Sequence, residues 1–575
     1  MKKLISKSKK LFTSPQSSIL SAATLIMFMI IISRLLGLVR QRILAHFFLP
    51  SELSLFFAAF RLPDLVFEVL VFGTFSSAFI PVFTKSLKKK EGQAWQTAST
   101  VVNIGLLLFV VFSILFGFGA DKIYSIFAPG YNSVERAKIV QLVKILFAAQ
   151  GFFVISYALT GVLESLRRFL IPALAPLFYN LGIILGTLFL NSKMGLLAPA
   201  IGVVIGAASH FLIQLPLAIR LGFRFTTSFR ITKDVKKIGK LALPRILEVG
   251  FLQISKIAEL FFSSLISTAA YTYYTFGNSL QLLPVGIFGI SIAKAALPTL
   301  SRQANESNKF KKTLFSALYD MFFLIIPAAT TLVILRVPVI RLVYGTSIFN
   351  WEATVQTGYV LSGFALGIVF QAVAALLARS FYALQDTKTP VIVSVVSILL
   401  TILADFYFIK VLHLEVWGLA LAFSIGSFVQ ATTLFYLINK KLNGISFFKA
   451  LLPISKSIVA AFGSGSVMYL MLKVFDRSVW VKRLSFLGKI ESTKTIPFEK
   501  FVLDTRYTVN LIGLTIIVSL IGIAVYLGLS IMLKSKQVWI FFNLLKRIFV
   551  KRKISPIPAK ETESVVPTPS GTTEI

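Results

Sequence analysis

Apolar runs long enough to cross a bilayer recur through almost the whole chain, and this pattern constrains the fold more than any other. A hydrocarbon core about 30 Å thick is crossed by about 20 helical residues. Such runs lie near 18–44, 53–84, 92–118, 136–164, 171–190, 196–220, 238–266, 268–299, 310–340, 353–382, 390–411, 415–439, 450–474 and 507–533. The chain therefore reads as an all-α polytopic membrane protein with about fourteen transmembrane helices. Its mean hydropathy of +0.82 and its charged fraction of only 14% agree.

The net charge of +36 would suggest nucleic acid in a soluble chain, but here the cations gather in short loops between spans, where they orient helices. Lys85, Lys88–Lys90, Arg167, Arg168, Arg220, Arg224, Arg230, Lys233, Lys236, Lys237, Arg302, Lys309, Lys311, Lys312, Lys388, Lys440 and Lys441 all fall on one side if the basic N-terminus is cytoplasmic. Loops on the other side, such as 46–52, 345–352 and 412–415, are nearly free of Lys and Arg. An even span count with both termini cytoplasmic follows. Loop 476–506 is the exception, because it carries Arg477, Lys482, Arg483, Lys489, Lys494 and Lys500, offset in part by acids, and it is assigned to the outer surface. The start is basic and then apolar like a signal peptide, but the apolar stretch is too long for one and is read as an uncleaved first helix. Beyond Trp539 the tail begins basic and amphipathic, as an interfacial helix would, and ends in Pro, Ser, Thr and Glu as disordered segments do.

An internal repeat organises the spans. Pro81 and Pro298 each sit where a span gives way to a basic loop, Pro172 and Pro390 each open a span after a polar turn, and Gly202 and Gly418 match at nearly the same offset. A repeat of six spans preserves orientation, so two parallel six-helix bundles, 18–220 and 238–439, are expected. A cytoplasmic N-terminus (1–17), a linker (221–237), two appended helices (450–533) and a cytoplasmic tail (534–575) complete the division.

Ionisable residues inside spans are costly and point to function. Arg34 and Gln41 share a face of the first span, with Arg40 about 120° away. On the seventh span Arg245, Glu248, Lys256, Glu259 and Ser263 occupy one narrow face, which either locks spans together through ion pairs or borders a hydrated cavity. The eleventh span aligns Ser394, Ser397, Thr401 and Asp405. Hydroxyls of this kind commonly bond their own helix carbonyls, whereas Asp405, with Thr401 one turn before it and Glu259 elsewhere in the chain, forms a candidate cation or proton site.

With no cysteine, and with His46, His210 and His413 scattered, thiol chemistry and metal-ligand spacing are absent. No phosphate-cradling loop and no hydrolytic triad can be recognised, so no cofactor is expected and transport would draw on a gradient, a potential or the substrate itself.

Three motifs narrow the class further: Ser33–Arg40 (SRLLGLVR), Phe57–Asp64 (FAAFRLPD) and Gly73–Pro81 (GTFSSAFIP). Together with Ala128-Pro129-Gly130, Pro172–Gly186, Pro244–Leu247, Leu283–Gly289 and Ala378–Pro390, they resemble the MurJ/MviN family of lipid II flippases in the MOP superfamily. The resemblance implies a fourteen-span flippase of a bacterial cytoplasmic membrane. It would carry undecaprenyl-linked peptidoglycan precursor for cell wall synthesis, using cavity arginines for the diphosphate and a groove by spans 13 and 14 for the lipid tail. Arg34 and Arg40 coincide with family arginines, but other family positions depart: arginines align with Phe67 and Ser279, and acids align with Gln41 and Phe72. Either Arg61, Arg245 or Lys256 supplies the missing charge, or the head group differs. Asp64 and Glu68 fall near the same region and would repel a diphosphate unless neutralised.

The expected substrate ligands are therefore Arg34, Arg40, Arg61, Arg245 and Lys256, with Glu259, Thr401 and Asp405 as the cation or proton site. Expected partners are lipid II or a related undecaprenyl-linked glycan, membrane lipids, and a monovalent cation or proton. The alternatives are a flippase for another lipid-linked glycan, a MOP-superfamily exporter of drugs or cations, and a membrane scaffold without transport activity. A scaffold has little need for buried charge in spans 1 and 7, and a cation exporter should favour acids and aromatic rings over first-span arginines.

Overall fold

A computed structural model describes residues 19–72, 78–442, 444, 447–475 and 507–549. Among the described residues, secondary structure is helical throughout, and twelve helices are long and apolar enough to span a membrane. These are spans 3 to 14 of the expected fourteen, from Glu91–Phe118 through Thr508–Met532. Span 1 is the 29-residue helix Ile19–Phe47. Span 2 is broken into Pro50–Ala59, Arg61–Phe67, a π-helical turn Glu68–Phe72 and Ile80–Lys89. Loop 476–506 and the tail beyond Phe549 lie outside the described residues.

The chain divides into two compact units at Phe261/Phe262. The boundary falls inside span 7, Lys233–Ile266, whereas the sequence reading puts it in the 221–237 linker. The reason is local: Asp234 accepts a 2.6 Å bond from Ser86, while Gln253 and Lys256 reach Glu68, so most of span 7 is tied to spans of the first unit.

Local features recur at the offset of the sequence repeat. The π-helical turns of spans 2 and 8 begin at Glu68 and Val285, 217 residues apart. Spans 4 (Ser133–Ser165) and 10 (Trp351–Ala383) each start from an asparagine cap, Asn132 and Asn350, 218 residues apart. Each cap accepts a 2.9 Å bond from the backbone N–H three residues on, which satisfies a donor the helix cannot. Arg167 and Gln385 hold the left-handed turns before spans 5 (Leu170–Met194) and 11 (Lys388–Val411), both at φ 59°. After the second turn, Asp386 accepts from Thr389 N–H at 3.1 Å and from Lys441 Nζ at 2.8 Å. The Lys441 contact holds its carboxyl below the ordinary carboxylate range, against the opposing effect of burial.

Lipid removes the hydrophobic drive for helices to associate, so close approach has to supply the contact. Span 5 packs on span 6 (Leu197–Arg220) through Gly182 and Gly186 against Gly202 and Gly206. A Cβ on Gly202 would fall 2.7 Å from the Gly182 carbonyl, and one on Gly206 would fall 2.6 Å from that of Tyr179. In the second unit, span 10 meets span 12 (Trp417–Lys441) at Gly363 and Gly367, and Ser424 Oγ donates to Gly363 O at 2.6 Å. Span 9 (Ser307–Ile334) turns Phe310, Leu314, Leu318, Met321 and Ile325 inward at helical spacing, onto Ile368, Ala372 and Leu376 of span 10.

Overpacking the glycine crossing should cost about 1–3 kcal/mol. Gly202→Leu and Gly206→Leu are each expected to lower the thermal midpoint of the purified protein in detergent. Gly239→Ala, whose Cβ meets nothing within 4 Å, should leave it unchanged or raise it.

Candidate functional site

In the first unit Arg61 and Lys256 lie near two acids of span 2, and Arg40 reaches the same neighbourhood through Tyr179. Arg61 opens the helix Arg61–Phe67, which presents Asp64 one turn on, and Glu68 begins the π-helical turn that follows. Arg61, Glu68 and Lys256 all act on Asp64 electrostatically, and Tyr179 feels both Arg40 and Asp64. Spans 1, 2, 5 and 7 thus contribute to one charged neighbourhood.

Both acids are held. Gln150 of span 4 donates to Asp64 Oδ1 at 2.6 Å. Lys256 Nζ lies 3.2 Å from each Glu68 oxygen, and Gln253, one turn before Lys256, also donates to Glu68. This ion pair is about one-third exposed, with side-chain exposures of 36% for Lys256 and 31% for Glu68. The repulsion that Glu68 would exert on an anion is therefore offset by Lys256, while Gln150 and Gln253 satisfy carboxylate lone pairs without adding charge. Sequence reading singled out Lys256 but missed both glutamines. The available signal was that Gln253 precedes Lys256 by three residues and so shares its face.

Span 1 is anchored where Asn180 of span 5 donates to Ser33 O and Ser33 Oγ, both at 3.4 Å. One residue on, Arg34 is half-buried. The Arg40 guanidinium lies 5.9 Å from the centre of the Tyr179 ring, within range of a cation–π contact, and its buried Nε has no hydrogen-bond partner among the described residues.

Phe67, where the resemblance implied an arginine, joins an aromatic wall instead. Its ring meets Tyr157 at 5.3 Å and Phe153 at 6.1 Å, and Phe153 meets Tyr179 at 5.2 Å. Behind this wall Tyr157 stacks on His210, whose Nδ1 lies 2.6 Å from Ser156 Oγ. Gln214 donates to the same Ser156 oxygen at 2.8 Å and accepts from Thr160 at 2.9 Å, so His210 is a packed member of a buried network.

The side chains of Arg245, Glu248 and Phe72 lie outside the described residues. Glu259 is half-buried in the first unit. In the second unit Asp405 is 2% exposed, Thr401 Oγ1 donates to Ser397 O at 2.9 Å, and Ser394 accepts from Gln430 at 2.8 Å. Ser279, at the other family arginine position, bonds the Thr275 carbonyl of its own helix at 2.9 Å. Among the described residues no three His, Cys, Asp or Glu side chains are grouped to hold a metal. An apolar cavity of about 550 Å³ in the same unit is walled by Ile326, Thr330 and Ile334 of span 9 and by Ile458, Phe462 and Tyr469 of span 13, Phe447–Phe475. The resemblance put such a groove by spans 13 and 14.

The family model for lipid II flippase MurJ matches residues 43–489. The chain belongs to the MurJ family. A probable lipid II flippase MurJ from Buchnera aphidicola subsp. Baizongia pistaciae is 28% identical over 457 residues, covering 77% of this chain and 86% of that protein. A solved structure of lipid II flippase MurJ in an inward closed conformation superposes with a TM-score of 0.72 at 26% identity, covering 91% of this chain and all of that one. An inward-facing multidrug resistance MATE family transporter of the MOP superfamily shares the fold, with a TM-score of 0.60 at 14% identity over 72% of this chain and 94% of its own. Two expectations thereby hold: the MurJ family within a MOP-type fold, and an all-α polytopic architecture.

If the Glu68–Lys256 pair ties span 2 to span 7, Lys256→Met should lower the thermal midpoint, and Glu68→Gln in the same protein should recover most of the loss. A double-mutant cycle is expected to give a coupling of about 1 kcal/mol, as suits a partly screened pair. Additive losses would remove the pair as a tie.

Proposed function

We propose that this MurJ family member translocates lipid II, the undecaprenyl-diphosphate-linked peptidoglycan precursor, from the cytoplasmic to the outer leaflet of a bacterial cytoplasmic membrane by alternating access of its two bundles. The observation that carries the reading is the charged neighbourhood of the first unit, in which Arg40, Arg61 and Lys256 outnumber two acids that already have partners. A net cationic site in a span suits an anion. An arginine fork can hold a phosphate through two parallel hydrogen bonds while the polyprenyl chain remains in lipid, so only the head group has to cross polar space.

In this reaction Arg34 and Arg40 hold the diphosphate, with Arg61, Arg245 and Lys256 contributing charge. The aromatic wall of Phe67, Tyr157 and Tyr179 excludes water beside it. The apolar cavity between spans 9 and 13 takes the lipid tail. Asp405 with Thr401 in the second unit is one candidate site for the cation or proton that resets the bundles, and Glu259 in the first unit is another, since one charge moved through 100 mV supplies about 2.3 kcal/mol. Both termini are cytoplasmic, in line with the crowding of Lys and Arg into alternate loops. Organic-cation export fits less well, because such a site would favour acids over the first-span arginines.

The test is complementation of a strain depleted of its lipid II flippase, paired with head-group translocation in proteoliposomes. Arg34→Ala should abolish both at normal protein levels, because a charge-assisted phosphate contact is worth about 1.5–3 kcal/mol. Arg34→Lys should recover only part, as a point charge lacks the planar fork. Full activity of Arg34→Ala would take Arg34 out of the site. In the same vesicles, collapsing the membrane potential should slow translocation, and Asp405→Asn with Glu259→Gln should weaken that dependence. Equal rates with and without a potential would leave both acids as structural groups.

A further inference from the structure

The segment that joins spans 6 and 7 is held against the first unit along its length. At its start Gly222 takes a left-handed conformation, φ 99°, where a side chain would crowd the Trp95 indole, and Phe223 is buried 6.2 Å from that ring. At its end Asp234 accepts from Ser86. Between them span 3 binds the backbone: Ser99 Oγ donates to Arg224 O at 2.9 Å, and Asn103 Nδ2 donates to Thr226 O at 2.7 Å and Ser228 O at 2.9 Å. Thr100 Oγ1 adds a 3.3 Å bond to Ser228 Oγ.

Carbonyls of every second residue therefore point at one helix face, which is the signature of an extended chain, and its side chains project to either side of that hydrogen-bonding direction. Of these, Phe225 is 52% exposed, Phe229 54% and Ile231 61%. Arg220, Arg224, Arg230, Lys233, Lys236 and Lys237 are exposed around them, and the lone acid, Asp234, is occupied by Ser86. Arg220, Arg224 and Arg230 make no ion pair among the described residues.

A linker that served only as a tether would need neither three outward apolar side chains nor five anchoring bonds. Preorganised apolar and cationic groups side by side match the boundary between acyl chains and anionic head groups. The depth agrees. The strap runs beside Ser99–Asn103, where span 3 passes from the polar stretch Gln96–Thr100 to the apolar stretch Val101–Phe118.

We propose that the strap 222–232 is a docking strip for anionic phospholipid, with Phe225, Phe229 and Ile231 entering the head-group boundary and Arg224 and Arg230 on lipid phosphates. The strip stands independently of which substrate is carried.

The chain has no cysteine, so Phe225→Cys and Phe229→Cys can each carry a single bimane probe in the full-length protein. The probes are read in phosphatidylcholine nanodiscs doped with either brominated phosphatidylglycerol or brominated phosphatidylcholine at equal mole fraction. Both probes should be quenched, and brominated phosphatidylglycerol should quench roughly twofold more. Arg224→Gln with Arg230→Gln should abolish that preference while quenching itself persists. A probe at exposed Lys122, on the opposite loop, reports any general enrichment of the anionic lipid around the protein. Absence of quenching by either lipid would place the strap in water or against a protein and overturn the proposal. So would equal quenching by both lipids, or a preference unchanged by the arginine substitutions.

Discussion

The ion pair of Glu68 with Lys256 is the interaction on which the charged part of the first unit depends. A carboxylate carried into an apolar span costs several kcal/mol unless its charge and its lone pairs are both answered. Lys256 answers the charge, and Gln253 adds a second donor from the same face of span 7. The pair consequently fixes which face of span 7 meets span 2, because a helix rotated by one residue would turn both donors away by about 100°. Asp64 is served by Gln150 from span 4, so two acids on neighbouring turns of one span recruit partners from two different helices. This is also why span 7 divides where it does: its polar half belongs to the unit that holds its counter-charges.

Span 2 can hold these acids partly because it is not a continuous helix. The π-helical turn at Glu68–Phe72 widens the ladder at the point where the ion pair is made, and such turns gather at functional sites. Its counterpart at Val285–Ile290 in span 8 carries no ionisable side chain, only apolar residues and glycine. The backbone irregularity therefore belongs to the repeated architecture, while the charge is particular to the first unit. Arg167 and Gln385 show the same separation of roles, since both satisfy one left-handed turn with unrelated side chains.

Much of this architecture was legible because length and hydropathy are properties of a segment by itself. Spans 3 to 14 appear as helices at the places their apolar runs mark, and the repeat showed through Pro81/Pro298 and Pro172/Pro390. Asn132 and Asn350 obey the same offset as helix caps, a correspondence readable from the sequence but hidden by the dissimilar residues around it. Pairings resisted in a different way. Nothing local in Gln150 or Gln253 tells which acid it serves, because the partners are 86 and 185 residues away and a glutamine in a span may equally bond its own helix. The π-helical turn in span 2 was also illegible, as residues 65–72 hold no proline or glycine to mark it.

The departures from the family pattern acquire a physical consequence once the partners are known. Where the resemblance implies an arginine, Phe67 packs against Phe153 and Tyr157, so span 2 offers an apolar wall at that turn. The cation that faces span 2 there comes from span 7, and it is already engaged by Glu68. An engaged lysine gives an incoming phosphate less than a free one does, since every contact it makes with the ligand weakens the one it has. In the proposed reaction the strongest hold on a diphosphate therefore shifts toward span 1. There Arg40 rests on the face of Tyr179, and the ring restrains the guanidinium without taking up its hydrogen-bond donors. Under that proposal Lys256 acts on the anion mainly through its field, offset by Glu68, and selectivity for the head group rests on the geometry of the span 1 arginines more than on the number of cations nearby.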